Sequence, residues 1–206
     1  MAKECRHEAL HQSGLTLRAQ VPVVAHELGI KLEEIVVNAR DDESLRAINP
    51  LKKIPALVLD DGSTLFDSPV ICEYLNEVGG GKFFSPASLW KPVSGRWKAL
   101  GLQALGDGIM DAAVACRYEV IQSEERRNPE HIARYKATIN AGLDALERVT
   151  FNEPPTIGEI AVGCALGYLD FRYGDLGWRQ THPRLAAWYE KFAQYPSMLA
   201  TTPPSP

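Results

Sequence analysis

"LKKIPALVLDDGSTLFDSPV", Leu51 to Val70, sets a proline at the mouth of one apolar run and an Asp-Ser pair where a helix begins. Proline has no N–H to give a ladder, so Pro55 belongs at the entrance of the strand Ala56–Leu59 rather than inside it. Asp60-Asp61-Gly62 separates that strand from a second, Ser63–Phe66. It reads as a hairpin turn, because glycine accepts the positive φ that tight turns impose. Ser68 then suits the N-cap of a helix, and Pro69 its first position. Val70, Ile71, Tyr74, Leu75 and Val78 give that helix one apolar face, and Gly79-Gly80-Gly81 ends it. The glycine run before Lys82 is a linker and not a phosphate loop. Asn76 stands where such a loop needs glycine, and Phe83 where it needs Ser or Thr.

Upstream, Val23–Leu28 closed by Gly29 reads as a helix end, Ile35-Val36-Val37 as a strand, and Asp42–Ile48 as a short helical or irregular link. A crossover followed by a terminal hairpin belongs to a small α/β sheet domain. From Ser88 onward only helical periods occur: Leu102, Leu105, Ile109, Ala113, Cys116 and Val120, then Ile132, Tyr135, Ile139, Leu143, Leu146 and Val149. Thr156 and Glu159 have the spacing of a capping box. The helix they open, Ile160–Tyr168, is apolar nearly all round and is expected at the centre of a bundle. Leu185, Trp188, Tyr189 and Phe192 mark a last helix, and the final "TTPPSP" reads as a disordered tail.

The chemistry converges on residues 49–68. A cis Ile54–Pro55 bond would turn the backbone N–H and C=O of Ile54 outward, where a peptide-like ligand could bond to both as an added strand does. The sequence leaves the isomer open. The N-terminus of the helix after Asp67 offers free N–H groups and the positive end of a dipole to a carboxylate. Ser68 adds a hydroxyl, Asp67 an acceptor for an ammonium group, and Lys53 a cation for a second carboxylate. Two carboxylates, an ammonium and a peptide backbone describe a short zwitterionic peptide.

Other classes find little support. A net charge of −4 gives no electrostatic reason for nucleic acid or an anionic membrane as partner. No apolar run approaches the roughly 18–20 residues that span a bilayer. His7, Glu8, His11, Gln12 and Arg18 interrupt any signal-peptide core. Cys5, Cys72, Cys116 and Cys164 are scattered without a CxxC, as in a reduced, cytoplasmic chain. His26-Glu27 begins like a zinc motif, but Ile30 stands in the second histidine's place, so no metal is expected. Trp90, Trp97, Trp178 and Trp188 read as packing residues.

"NPLKKIPALVLDDGSTLFDSPVICEYLNE" resembles the second half of the thioredoxin-like domain of glutathione S-transferases, near the small bacterial members. "ALGDGIMDAA", "PTIGEIAVGCALGYLDFR" and "GWRQTHPRLAAWYEKF" extend the resemblance over roughly residues 23 to 202. It implies an α/β thioredoxin-like N-terminal domain over residues 1–80 and an all-α helical bundle over 88–202. It further implies that Pro55 is cis, that Ile54 bonds the cysteinyl backbone of glutathione, that Asp67 and Ser68 hold its γ-glutamyl end, and that Lys53 holds its glycine carboxylate. Glutathione would be the co-substrate and a small hydrophobic electrophile the second, lying against Gly106–Asp111 between the domains. The implied protein is a cytoplasmic detoxifying homodimer that binds neither nucleic acid nor membrane. The alternative is a glutathione-binding or regulatory protein that keeps the fold without the chemistry.

One stretch departs from the pattern. The family activates its thiol with a hydroxyl or thiol in a segment like S-P-x-S-P-Y-x-R-K, whereas this chain has "EALHQSGLTLRAQVPVV". Counting back from "VVAHELGI" puts Leu15 in the serine position. Ser13 and Thr16 flank it out of register and are the weak catalytic candidates. Pro22 would fall inside the first helix, at about 3 kcal/mol. We state as a hypothesis that residues 8–22 are translated out of frame. Permitted codons for His7–Val23, read from the second base, give "MKLFISPASPYARKCR", whose second serine overlaps Leu15 and Thr16. The nucleotide sequence tests this directly, since other codons at Leu10, Ser13 or Leu17 remove it.

Overall fold

The computed structural model describes residues 7–11, 20–38, 41–84 and 95–202. Its four-stranded sheet has the order β2-β1-β3-β4. Central β1 (His7–His11) pairs in parallel with β2 (Leu32–Val36) and antiparallel with β3 (Ala56–Val58). β4 (Thr64–Leu65) closes the hairpin on β3, with Leu57 opposite Leu65. A parallel pair needs a crossover, and α1 (Gln20–Leu28) supplies it. The strand barely visible in the sequence before Ser13 is thus the middle of the sheet, with Ala9 and Leu10 buried. β2 starts earlier than Ile35-Val36-Val37 suggests, because its pairing to β1 runs from Leu32 to Val36.

α1 buries Val21, Val23, Val24 and Ala25. It ends at Gly29, whose φ of +66° lets the Ile30 N–H reach back to the Ala25 carbonyl at 2.9 Å. Pro22 is the third residue of α1. In a first turn no N–H has an intrahelical acceptor, so the interior-proline cost does not apply. The hairpin turn forms as expected. Gly62 has φ +82°, and the Asp61 carboxylate accepts from the Ser63 N–H at 2.9 Å and its hydroxyl at 2.6 Å. The link after β2 contains the single-turn α2 (Leu45–Ile48), pinned by buried Leu45.

α3 (Ser68–Val78) lies against α1 but is rotated from the expected face. Ile71, Cys72, Leu75 and Asn76 are buried, while Val70 and Val78 are 48% and 53% exposed. Asn76 faces inward because its side-chain carbonyl accepts the Phe83 N–H at 2.8 Å. Phe83 in turn accepts from the Ile157 N–H at 3.1 Å, which ties the linker to the helical half.

That half comprises α4 (Gly95–Val120), α5 (Pro129–Leu146), α6 (Ile157–Arg172), α7 (Trp178–Thr181), α8 (Pro183–Phe192) and α9 (Pro196–Ala200). α6 is the central helix, as its composition requires, and its buried residues run almost unbroken from Ile157 to Leu169. Its capping box is formed. Thr156 accepts from the Gly158 N–H at 3.2 Å, and the fully buried Glu159 carboxylate receives the Thr156 and Asn152 N–H groups, each at 2.8 Å. α4 passes close beside α6 because Gly106 has no side chain there. α4 is also long and apolar enough to cross a bilayer, yet Ile109, Ala113 and Cys116 are buried within the protein against its neighbouring helices. Trp178 is buried and Trp188 stacks between Phe151 and Phe192, but Trp97 is 58% exposed and packs on little. Trp90 and the tail beyond Thr202 lie outside the described residues.

Candidate functional site

The site is built where the hairpin returns to the helix. The Ile54–Pro55 peptide is cis, with Pro55 buried immediately before β3. Ile54 makes no backbone hydrogen bond to another described residue, so its N–H and C=O are open to a ligand. The β3–β4 register pairs Leu57 with Leu65 and Val58 with Thr64. Pro55 leads directly into β3, and β4 on the other side of the hairpin is followed, after Phe66 and Asp67, by Ser68 at the start of α3. The Phe66–Asp67 peptide is cis as well.

Asp67, not Ser68, is the N-cap of α3, which corrects the sequence-based assignment. Its backbone is extended and its carbonyl accepts the first helical bond, from the Ile71 N–H at 3.0 Å, while its side chain makes no capping bond. Ser68 is the first helical residue and is fully buried. Pro69 follows without an N–H, so the helix start directs only its remaining donors outward. A carboxylate placed there meets both N–H groups and the positive end of α3. Asp67 is exposed and gives the same end an acceptor for a cation.

The two lysines before Ile54 differ. Lys52 adopts φ +53° and pairs with Glu43, which also holds Arg46 at 2.8 Å. The Lys52 ammonium, then the Arg46 guanidinium, hold the Glu43 carboxyl below its ordinary value. Lys53 is exposed, with no ion-pair partner among the described residues, and its ammonium can serve a ligand carboxylate. Asn49, which sequence reasoning left without a role, shapes this turn. It is 1% exposed, donates from Nδ2 to the Lys53 carbonyl at 2.7 Å, and accepts the Leu51 N–H at 3.0 Å on Oδ1. Only the Asn-Pro dipeptide hinted at it, as a turn signal.

A second polar contact joins the two halves of the chain. Buried Gln20, at the start of α1, donates from Nε2 to Asp107 on α4 at 2.5 Å, and Gln103 lies behind it. Sequence periodicity could not find it, since the partners are 87 residues apart. Burial pushes the Cys72 and Cys164 thiols well up, so both stay protonated and inert. Cys116 is buried too. Among the described residues, no three His, Cys, Asp or Glu side chains group as metal ligands. Ser13, Leu15 and Thr16 lie outside the described residues.

Comparison with known proteins agrees with this architecture. Residues 19–78 match the family model of the glutathione S-transferase N-terminal domain, and residues 129–191 that of the C-terminal domain. An uncharacterized GST-like protein of Escherichia coli K12, YibF, is 31% identical over 90% of this chain and 93% of its own length. A glutathione transferase family member from Pseudomonas fluorescens Pf-5, crystallised with glutathione, is 40% identical over 96% of this chain and 99% of that one, with a TM-score of 0.87. The structure of the Pf-5 target with bound S-(propanoic acid)-glutathione covers 96% of this chain and 97% of that one, at 39% identity and a TM-score of 0.83.

Proposed function

Because this chain belongs to the glutathione S-transferase family, we propose that it binds glutathione at Lys53, Ile54, Pro55, Asp67 and Ser68 and adds the thiol to small electrophiles. The reading is carried by one observation: the open backbone of Ile54, beside a cis proline, leads into β3, which pairs with the strand that runs on to Ser68 at the head of α3. The cysteinyl backbone lies along Ile54 as an added strand, the γ-glutamyl carboxylate meets the N-terminus of α3, its ammonium meets Asp67, and the glycine carboxylate meets Lys53. Relatives crystallised with glutathione or an S-substituted glutathione support the same ligand class. The electrophile lies against Gly106–Asp111 of α4, and catalysis comes from a stabilised thiolate held next to it. A cytoplasmic homodimer is part of the proposal.

A second reading keeps the binding and drops the chemistry, and Leu15 in the expected serine position favours it. Titration with glutathione, followed by turnover of 1-chloro-2,4-dinitrobenzene, separates the two. Glutathione at 100 times its Kd should stabilise the fold by about 2.7 kcal/mol. Ser68→Ala should weaken binding roughly tenfold, by removing a hydrogen bond to a charged group. Turnover that falls in Ser13→Ala or Thr16→Ala supports catalysis by that hydroxyl. Binding without turnover selects the second reading, and absence of binding defeats both.

A further inference from the structure

Glu43 lies outside the residues assigned to glutathione, yet its carboxylate ties together the turn that presents Lys53 and Ile54. Its Oε2 accepts from the Nε of Arg46, on α2, at 2.8 Å, and its Oε1 from the ammonium of Lys52, beyond the turn. One carboxylate thus closes the segment from residue 43 to residue 52. An isolated surface pair would fix little. Here each oxygen holds a different cation, and the Lys52 side chain is only 13% exposed. The Lys52 hydrogen bond, then that of Arg46, holds the Glu43 carboxyl below its ordinary value, so it keeps its charge in mildly acidic solution.

Among the described residues, Lys52 alone other than glycine has a positive φ, +53°. A side chain makes that conformation costly, and it persists where the surroundings impose it. The Lys52 N–H donates to the Asn49 carbonyl at 2.8 Å, while its ammonium is drawn back to Glu43. On the far side, the Asn49 amide holds the Lys53 carbonyl at 2.7 Å. Lys53 is therefore fixed both through the residue before it and through its own carbonyl. Its side chain leaves the turn exposed, while the neighbouring Lys52 ammonium is held at Glu43.

We propose that Glu43 and Lys52 are positioning residues for the glycine end of glutathione. By holding the turn they set Lys53 to meet the glycine carboxylate, and so make the protein select the tripeptide over γ-glutamyl dipeptides. The proposal rests on the glutathione-binding reading above and deepens it, since neither residue touches the ligand in that reading. An ammonium on a mobile loop loses freedom when it meets a carboxylate, whereas one presented from a fixed backbone loses less. Selectivity for the tripeptide is then a property of the turn as well as of Lys53.

Calorimetry on the full chain tests this by comparing the Kd of glutathione with that of γ-glutamylcysteine, whose carboxylate falls one residue short. Glutathione should bind the native protein about tenfold more tightly. Glu43→Gln, which keeps the shape and loses the charge, should remove most of that ratio. Lys52→Gly should do the same, although glycine takes a φ of +53° without strain and the urea midpoint should stay near the native one. A turn that mattered only for folding would keep the native ratio in Lys52→Gly. Lys52→Arg, which retains a cation for Glu43, should keep most of the preference. In a Lys53→Met background Glu43→Gln should change the ratio no further, because it acts through Lys53. A native ratio near one, a ratio that survives both Glu43→Gln and Lys52→Gly, or an undiminished effect of Glu43→Gln without Lys53 overturns the proposal and leaves glutathione binding standing. If neither peptide binds the native protein, the ligand reading has failed and this proposal falls with it.

Discussion

Asn49 shows how one side chain sets the geometry of the turn that leads to Ile54 and Pro55. Its amide satisfies a carbonyl and an N–H within the turn that leads to Ile54, and burial keeps water from replacing it. Asn49→Ala leaves both partners unsatisfied and should destabilise the fold by about 1–3 kcal/mol in urea. Lys53 and Ile54 should then hold glutathione less tightly, and an unchanged glutathione affinity would show that the turn is positioned by something else. The place of Pro55 at the entrance of β3 was legible, since a proline cannot donate to the ladder. Asn49 was not, because nothing in the chain announces that a polar side chain beside a proline is buried. Ser68 shows the converse. Its proximity to the helix start was readable, but whether it or Asp67 caps depends on which residue is extended, and that is a matter of backbone angles.

At the scale of elements, the contact between α4 and α6 depends on a missing side chain. A methyl at Gly106 would sit 2.8 Å from the Ala161 carbonyl carbon and 2.9 Å from the Val162 nitrogen, both backbone atoms that cannot swing aside. Gly106→Ala should therefore cost about 1–3 kcal/mol through overpacking. Gly108→Ala, where a methyl meets nothing within 4 Å, should instead be neutral or stabilising by up to about 1 kcal/mol. Equal denaturation midpoints for the two variants would contradict the close approach. The helices themselves were largely readable. α6 is buried all round because its sequence is apolar all round, and its capping box forms at the predicted residues. α3 ended where expected, but it starts one residue earlier and turns a different face inward. Val70 and Val78 extend an apolar stripe on paper, yet the inward side is chosen by contact with α1 and by the bond from Phe83 to Asn76. The short α7 and α9 gave no periodic signal, since one turn carries too few positions to show a period.

Across the whole molecule, half-buried carboxylates fasten distant segments and should make the fold acid-sensitive. Glu147, at the end of α5, accepts from the N–H groups of Leu185 at 2.8 Å and Arg184 at 3.0 Å, joining α5 to the start of α8. Burial pushes its carboxyl up, but those two donors outweigh it and hold it below the ordinary 4.5. At Glu119 the bond from His131, then the Asn128 N–H, act in the same direction. A carboxyl depressed in the folded state adds stability that is complete above its ordinary value and is lost as pH falls below it. The urea midpoint should therefore hold from about pH 7 to about pH 5 and drop as the pH falls below the ordinary 4.5, with Glu147→Gln showing a smaller drop. A pH-independent midpoint would contradict these contacts. The sequence by itself determined the hairpin, the helical half and the central α6. These follow from local backbone chemistry and from hydrophobic period. Tertiary structure alone decided that β1 lies at the sheet's centre, which side of α3 faces in, and that Gln20 meets Asp107. Each of those depends on residues far apart in the chain, and their meeting is settled by packing rather than by any neighbour in sequence.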